Sequence, residues 1–264
     1  GGERAVNGVG RAIEGAGEFC EFCEFCEITP QSMDAATSLL AGCELSGPAE
    51  LRPHRSSLFV AWNGVLCLVY DGFPPALVAI KQQLCTLNIA PEKFGSKWPK
   101  TTLAAQVDDT LMTLAQLQTL QQLCRQHSEA IAQLDACVPV PIVSVVDYEC
   151  RGLEKLRQRT DLELSGDALG RRASPDELAR VEGVLSEWSD LEGYLSKVNA
   201  PGSRIATYRE DSPQGCTCVG FLQPMPEALS AELASFRQAV DAALPGRYTW
   251  LESASLHCTL RALD

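Results

Sequence analysis

Two tripeptides in this chain pair a titratable side chain with a hydroxyl two residues away. One is His257-Cys258-Thr259 in SLHCTLRAL, the other Lys100-Thr101-Thr102 in WPKTTLAAQV. Alternate residues of a β-strand share a face, so both pairs can line a single cleft. An imidazole, with an unperturbed pKa near ~6.5, takes up or releases a proton at neutral pH, whereas a lysine near ~10.4 is normally a cation. Such a lysine neutralises charge on a phosphate oxygen, or serves as an acid where burial lowers its pKa. The plainer alternatives are a strand histidine held by local hydrogen bonds and a solvated lysine at a strand entrance.

Three further side chains stand near these tripeptides. Arg261 falls on the predicted face of His257 and Thr259, where it would meet a phosphate or a neighbouring carboxylate. Trp98 and Trp250 each precede a terminal strand, as packing anchors or as stacking platforms for a base. The other histidines offer less: His54, in LRPHRSS, reads as part of a polar loop, and His127, in CRQHSEA, as a helix surface position. Cys20, Cys23 and Cys26 form C-x-x-C-x-x-C, but zinc and iron–sulfur sites usually need a fourth ligand. The next cysteine, Cys43, lies in an unrelated context, so the tandem Glu-Phe-Cys copies read as a short repeat or a partner-docking segment. No metal is assigned. The glycine-rich lead has no clean G-x-G-x-x-G after a strand, so no cofactor is expected either.

The chain must supply elements that position the tripeptides. Residues 1–30 read as a flexible extension, and TPQSMDAATSLLAGCEL suggests a short helix. SSLFVAW (56–62) and VLCLVY (65–70) read as strands joined at Asn63-Gly64, the pair favoured where a tight turn needs positive φ twice. Pro74-Pro75-Ala76-Leu77 opens a helix with Leu77, Ile80, Leu84 and Leu87 at helical spacing, and KTTLAAQV follows as a strand. A long amphipathic helix is expected over 109–135, its stripe formed by Leu111, Leu114, Leu117, Leu120, Leu123 and Leu134. PIVSVVDY (141–148) is a β-branched strand, and residues 149–175 look like a charged surface connection. Ser174, Pro175 and Glu177 form an N-terminal capping pattern for one helix through SPDELARVEGVLSEWSDLEGYLSKV. CTCVGFL is a strand at 216–222, Pro226-Glu227-Ala228-Leu229 opens a helix to about Leu244, and SLHCTLRAL is the final strand.

The tripeptides close two similar constructions. VLCLVY, PPALVAIKQQL, a loop with Trp98 and KTTLAA match CTCVGFL, PEALSAELASF, a loop with Trp250 and HCTLRA. Both are strand–helix–strand units with Pro-x-Ala-Leu at the helix start and a Thr two residues after the basic position. This arrangement resembles the two-histidine phosphoesterase superfamily, the group of LigT-like proteins and cyclic phosphodiesterases, over residues 56–264. The resemblance implies an α+β fold of two pseudo-symmetric α/β lobes with antiparallel sheets around a central cleft. Lobe one would cover about 56–148, a connection 149–200 and lobe two about 201–264. It further implies that His257 is one acid–base residue, that Thr102 and Thr259 bind phosphate, and that Lys100 stands where the other histidine belongs.

That family opens 2′,3′-cyclic phosphates with one imidazole as base and the other as acid. Only the second motif here matches letter for letter, and losing an acid–base partner typically forfeits on the order of 10²–10⁴ in rate. Two functions are therefore expected. The first is a degenerate phosphoesterase that binds or hydrolyses a small cyclic or 2′-linked phosphate ester. In it His257 and Lys100 are catalytic, with Thr102, Thr259, Arg261 and Trp98 at the substrate. The second is a retired scaffold serving as a non-catalytic binding or assembly subunit.

Composition fits either. Of 264 residues, 45% are apolar and 21% charged, enough for a folded core. The net charge of −12 repels a phosphate backbone, so long nucleic acid is not an expected partner. A small phosphorylated ligand needs only a local pocket, and a protein partner stays open. Most of the 12 cysteines sit in apolar contexts, as Cys67 and Cys137 do, and read as small hydrophobes in a reducing, intracellular setting. No apolar run reaches the ~18–20 residues of a membrane span.

Overall fold

The computed structural model describes residues 31–263 apart from 44, 46, 88, 90, 93–95, 166–171 and 211–214. The glycine-rich lead and the Glu-Phe-Cys copies lie outside the described residues. The elements in chain order are α1 (Gln31–Ala41), β1 (Ala49–Leu51), β2 (Pro53–Val60), β3 (Leu66–Tyr70), α2 (Pro75–Leu84) and β4 (Lys100–Gln106). Then come α3 (Leu114–Gln133), β5 (Val138–Val140), β6 (Ile142–Tyr148), β7 (Leu156–Glu163), α4 (Pro175–Ser186), α5 (Leu191–Val198) and α6 (Ile205–Arg209). The remaining ones are β8 (Gly215–Phe221), α7 (Glu227–Ala243), β9 (Tyr248–Trp250) and β10 (His257–Ala262).

Among the described residues these form an α+β fold on two four-stranded antiparallel sheets, ordered β2-β3-β4-β9 and β10-β8-β6-β7, with a small β1–β5 ribbon. Two units repeat one design. In β3–α2–β4 and in β8–α7–β10, adjacent antiparallel strands are joined by a helix. A proline caps each helix, Pro74 at φ −66° and Pro226 at φ −53°, where a fixed φ and a missing N–H do no harm. α2 buries Ala76, Leu77, Ile80 and Leu84, and α7 buries Leu229, Phe236 and Val240. One continuous apolar core joins both sheets and these helices.

In the β2–β3 hairpin Asn63 (φ 60°) and Gly64 (φ 73°) take the positive φ this pair favours. However, β2 ends at Val60, which pairs with Leu66, and Trp62–Gly64 form a 3-10 turn, so the loop is longer than the two residues expected. Other expectations need correction. The long helix starts only at Leu114, after a Thr113–Gln116 capping box. Leu111 and Leu134 are exposed, and the buried face is Leu117, Leu120, Cys124, His127, Ser128 and Ile131. His127 is therefore interior, its Nδ1–H donating to Glu232 at 2.6 Å. His54 is also buried, on β2 rather than in a loop, with Nδ1 accepting from the Ser56 N–H at 3.0 Å.

The supposed surface connection contains β7, an edge strand against β6. The expected helix over 174–198 breaks at Asp190 (φ −103°, ψ 95°), whose carboxylate accepts from the Gly193 N–H and starts α5. Ser174 does cap α4. Glu177, however, accepts from the Phe73 N–H at 3.2 Å and so docks α4 on the loop before α2. Among the described residues no helix is long and apolar enough to cross a membrane.

Candidate functional site

β4 alternates strictly at its start: Lys100 and Thr102 are partly exposed, Thr101 and Leu103 buried. β10 repeats the pattern, with His257 and Thr259 partly exposed and Cys258 and Leu260 buried. The two strands belong to different sheets but lie against each other, and the Lys100 backbone hydrogen-bonds the Cys258 thiol. Lys100, Thr102, His257 and Thr259 consequently line one cavity of about 670 Å³, within the roughly 300–1,000 Å³ usual for small-ligand sites.

His257 is held by its Nδ1–H, which donates to the Ser255 carbonyl at 2.7 Å. In the neutral ring Nε2 then carries the lone pair. Burial pushes the His257 pKa below the ordinary imidazole value, opposed by the Ser255 hydrogen bond. The ring packs against Phe221 at 6.2 Å between centroids. This is the arrangement of a proton acceptor at neutral pH.

Lys100 Nζ lies 4.3 Å from the centre of the Trp98 ring. Burial lowers its pKa, the nearby Lys81 charge adds to that, and Cys67 and Cys258 oppose it. Trp98 is buried and meets Phe59 edge-on at 6.4 Å, so it is both packing anchor and cavity wall. Trp250 is a packing residue: its Nε1–H donates to Asp241 at 2.9 Å and Phe236 meets its ring edge-on.

Thr102 sits in a small polar network. It faces Cys67 across the β3–β4 ladder, and its hydroxyl lies close to that thiol and to the Tyr208 hydroxyl, with Ser203 beside them in the cavity wall. Burial lifts the Cys67 thiol to about 11, with the Lys100 charge opposing, so the thiol stays protonated.

Arg261 does not reach the cavity. The β10–β8 register shifts between Thr259 and Arg261, and such a bulge reverses the alternation beyond it. Ala262 lines the wall instead, while Arg261 is buried elsewhere and its carbonyl accepts from the Thr217 hydroxyl at 2.9 Å. His54 and His127 are not in the wall either.

Sequence reasoning missed Cys67, Arg151, Ser203, Tyr208 and Thr217, which also line the cavity. Only Cys67 and Thr217 left a signal, as strand residues adjoining the motif strands. The described lining holds Lys100, Arg151 and His257 but no Asp or Glu, in a chain with 34 acidic residues. A basic, partly enclosed pocket in an acidic protein concentrates field lines for a small anion. Among the described residues no group of three or more His, Cys, Asp or Glu is placed to hold a metal ion. No protein-family model, curated protein or solved structure matches this chain.

Proposed function

We propose that this cavity binds a small cyclic or 2′-linked phosphate ester and that the chain is a degenerate two-histidine phosphoesterase-like protein. The observation that carries this reading is the meeting of Lys100-x-Thr102 and His257-x-Thr259, from strands of different sheets, in one cavity whose described lining holds no carboxylate. In hydrolysis the Thr102 and Thr259 hydroxyls donate to the non-bridging phosphate oxygens. His257 Nε2 takes a proton from the attacking water as its oxygen bonds to phosphorus. The bond to the sugar oxygen breaks, and that oxygen takes a proton from the Lys100 ammonium, which burial makes more acidic. Cyclic ester and water become a monoester, and proton return from His257 to Lys100 restores the site.

The Lys100–Trp98 contact favours a second reading, a non-catalytic binding or assembly subunit. An aromatic face stabilises the cation, which favours holding a phosphate over giving up a proton.

Hydrolysis of 2′,3′-cyclic nucleotides by the parent, His257→Ala and Lys100→His separates these. Parent activity abolished in His257→Ala supports catalysis with one histidine and a lysine. A silent parent with a gain in Lys100→His supports a binding cleft that has lost catalysis. Silence from all three, with no binding of adenosine 2′-monophosphate, removes the phosphate-ester reading.

A further inference from the structure

Arg151 stands in the cavity wall, on the loop joining β6 to β7. Arginines around it hold carboxylates: Arg157 with Asp147 at 2.8 Å, Arg159 with Asp161 at 2.7 Å and Arg209 with Glu154 at 2.8 Å. Among the described residues Arg151 makes no ion pair. Its guanidinium lies over the Tyr208 ring, 5.7 Å from the centroid, and the side chain is exposed.

The loop is fixed from several sides. The Gly152 N–H donates to the Tyr208 carbonyl at 2.8 Å, and a Cβ at Gly152 would lie 3.1 Å from that oxygen. The Leu153 N–H donates to the Cys150 carbonyl at 2.9 Å, with Leu153 at φ 55°. Glu154 accepts from Arg209 and from the Glu252 N–H at 2.9 Å. Arg151 and Tyr208 are thus held in relation to each other. Tyr208 lies in the same cavity wall as Arg151, Lys100 and Thr102, on a helix packed against β4. A guanidinium over an aromatic ring still has N–H donors for a planar or tetrahedral oxyanion.

We infer that Arg151 binds a second phosphoryl group of the same ligand, so the ligand class is a nucleotide-like ester carrying two phosphoryl groups. The first lies at Lys100, Thr102, His257 and Thr259, and in that respect the inference rests on the phosphate-ester reading above.

Calorimetric titration of the full chain with adenosine 2′-monophosphate and adenosine 2′,5′-bisphosphate, at fixed ionic strength, tests it. The bisphosphate is expected to bind about tenfold tighter, the size of one charge-assisted contact. Arg151→Gln should bring the two ligands within about twofold, mostly by weakening the bisphosphate, and Arg151→Lys should keep part of the gain. Monophosphate binding with no gain from the second phosphate overturns the Arg151 subsite and leaves the phosphate-ester reading standing. Equal weakening of both ligands in Arg151→Gln also overturns it, because the residue would then act only on the loop. Failure of the parent to bind either ligand removes both.

Discussion

Lys81 Nζ donates to the carbonyl of Leu260 at 2.7 Å, joining the helix of one strand–helix–strand unit to the last strand of the other. Leu260 is the residue that β8 does not oppose at the bulge, so its carbonyl needs a partner outside the ladder. The same ammonium holds the Ser96 carbonyl at 2.8 Å and the Glu92 carboxylate. Replacing Lys81 by Met strips partners from three acceptors, one of them charged and largely buried. Urea unfolding should show a loss of about 2–4 kcal/mol. A change below about 0.5 kcal/mol would show that water replaces the ammonium freely.

His54 and His257 are both held below the ordinary imidazole range, chiefly by burial. The fold therefore favours their neutral forms. The stability tied to them is complete above about pH 6.5 and is lost as pH falls through the lowered native values. The urea midpoint should hold steady from pH 8 to 7 and decline between about pH 6.5 and 5, less steeply in His257→Asn. Proton NMR of the ring C–H groups should place both titrations below that of a free imidazole. An acid-insensitive midpoint would contradict the assignment.

His127 and Glu232 connect α3 to α7, and Phe236 meets the imidazole edge at 5.4 Å between centroids. A double-mutant cycle with His127→Ala and Glu232→Ala should return a coupling of about 1 kcal/mol. The single His127→Ala variant should lose more, about 2–3 kcal/mol, because it also opens a void beside Phe236. Additive effects would mean that the two side chains do not interact in solution.

Gly64 holds φ 73° and a Cβ there would come within 1.7 Å of Gln106 Nε2. That amide donates to the Asn63 carbonyl at 3.2 Å, and Arg247 holds the Gln106 carbonyl oxygen at 2.5 Å. Gly64→Ala strains the backbone and displaces this linkage, so a loss of about 2 kcal/mol is expected in thermal or urea unfolding. Full tolerance would mean that the hairpin turn rearranges without penalty.

The elements that carry the site were the ones most legible in the sequence, because each had a local cause. The hairpin followed from Asn63-Gly64, the two helix starts from Pro74 and Pro226, and the shared face of His257 and Thr259 from strand alternation. What escaped had a non-local cause. β7 reads LRQRTDLE, polar enough to pass for a loop, because an edge strand owes its structure to β6 rather than to its own burial. Arg261 was misplaced because a bulge depends on the partner strand. His54 and His127 were read as polar surface residues, yet each sits where a hydrogen bond satisfies it inside the core. Tyr208 and Arg151 reach the cavity from a five-residue helix and a loop, which have no periodicity to read.

β9 and β10 adjoin in sequence but complete different sheets, β9 beside β4 and β10 beside β8. During synthesis neither sheet can acquire its outer strand until residues 248–262 have left the ribosome. Both then gain it from one stretch, through contacts of long sequence separation that make folding slow. Until that point, β4 and β8 each present an open edge to chaperones and to other nascent chains. Completion of the two sheets is therefore coupled through one short stretch of chain.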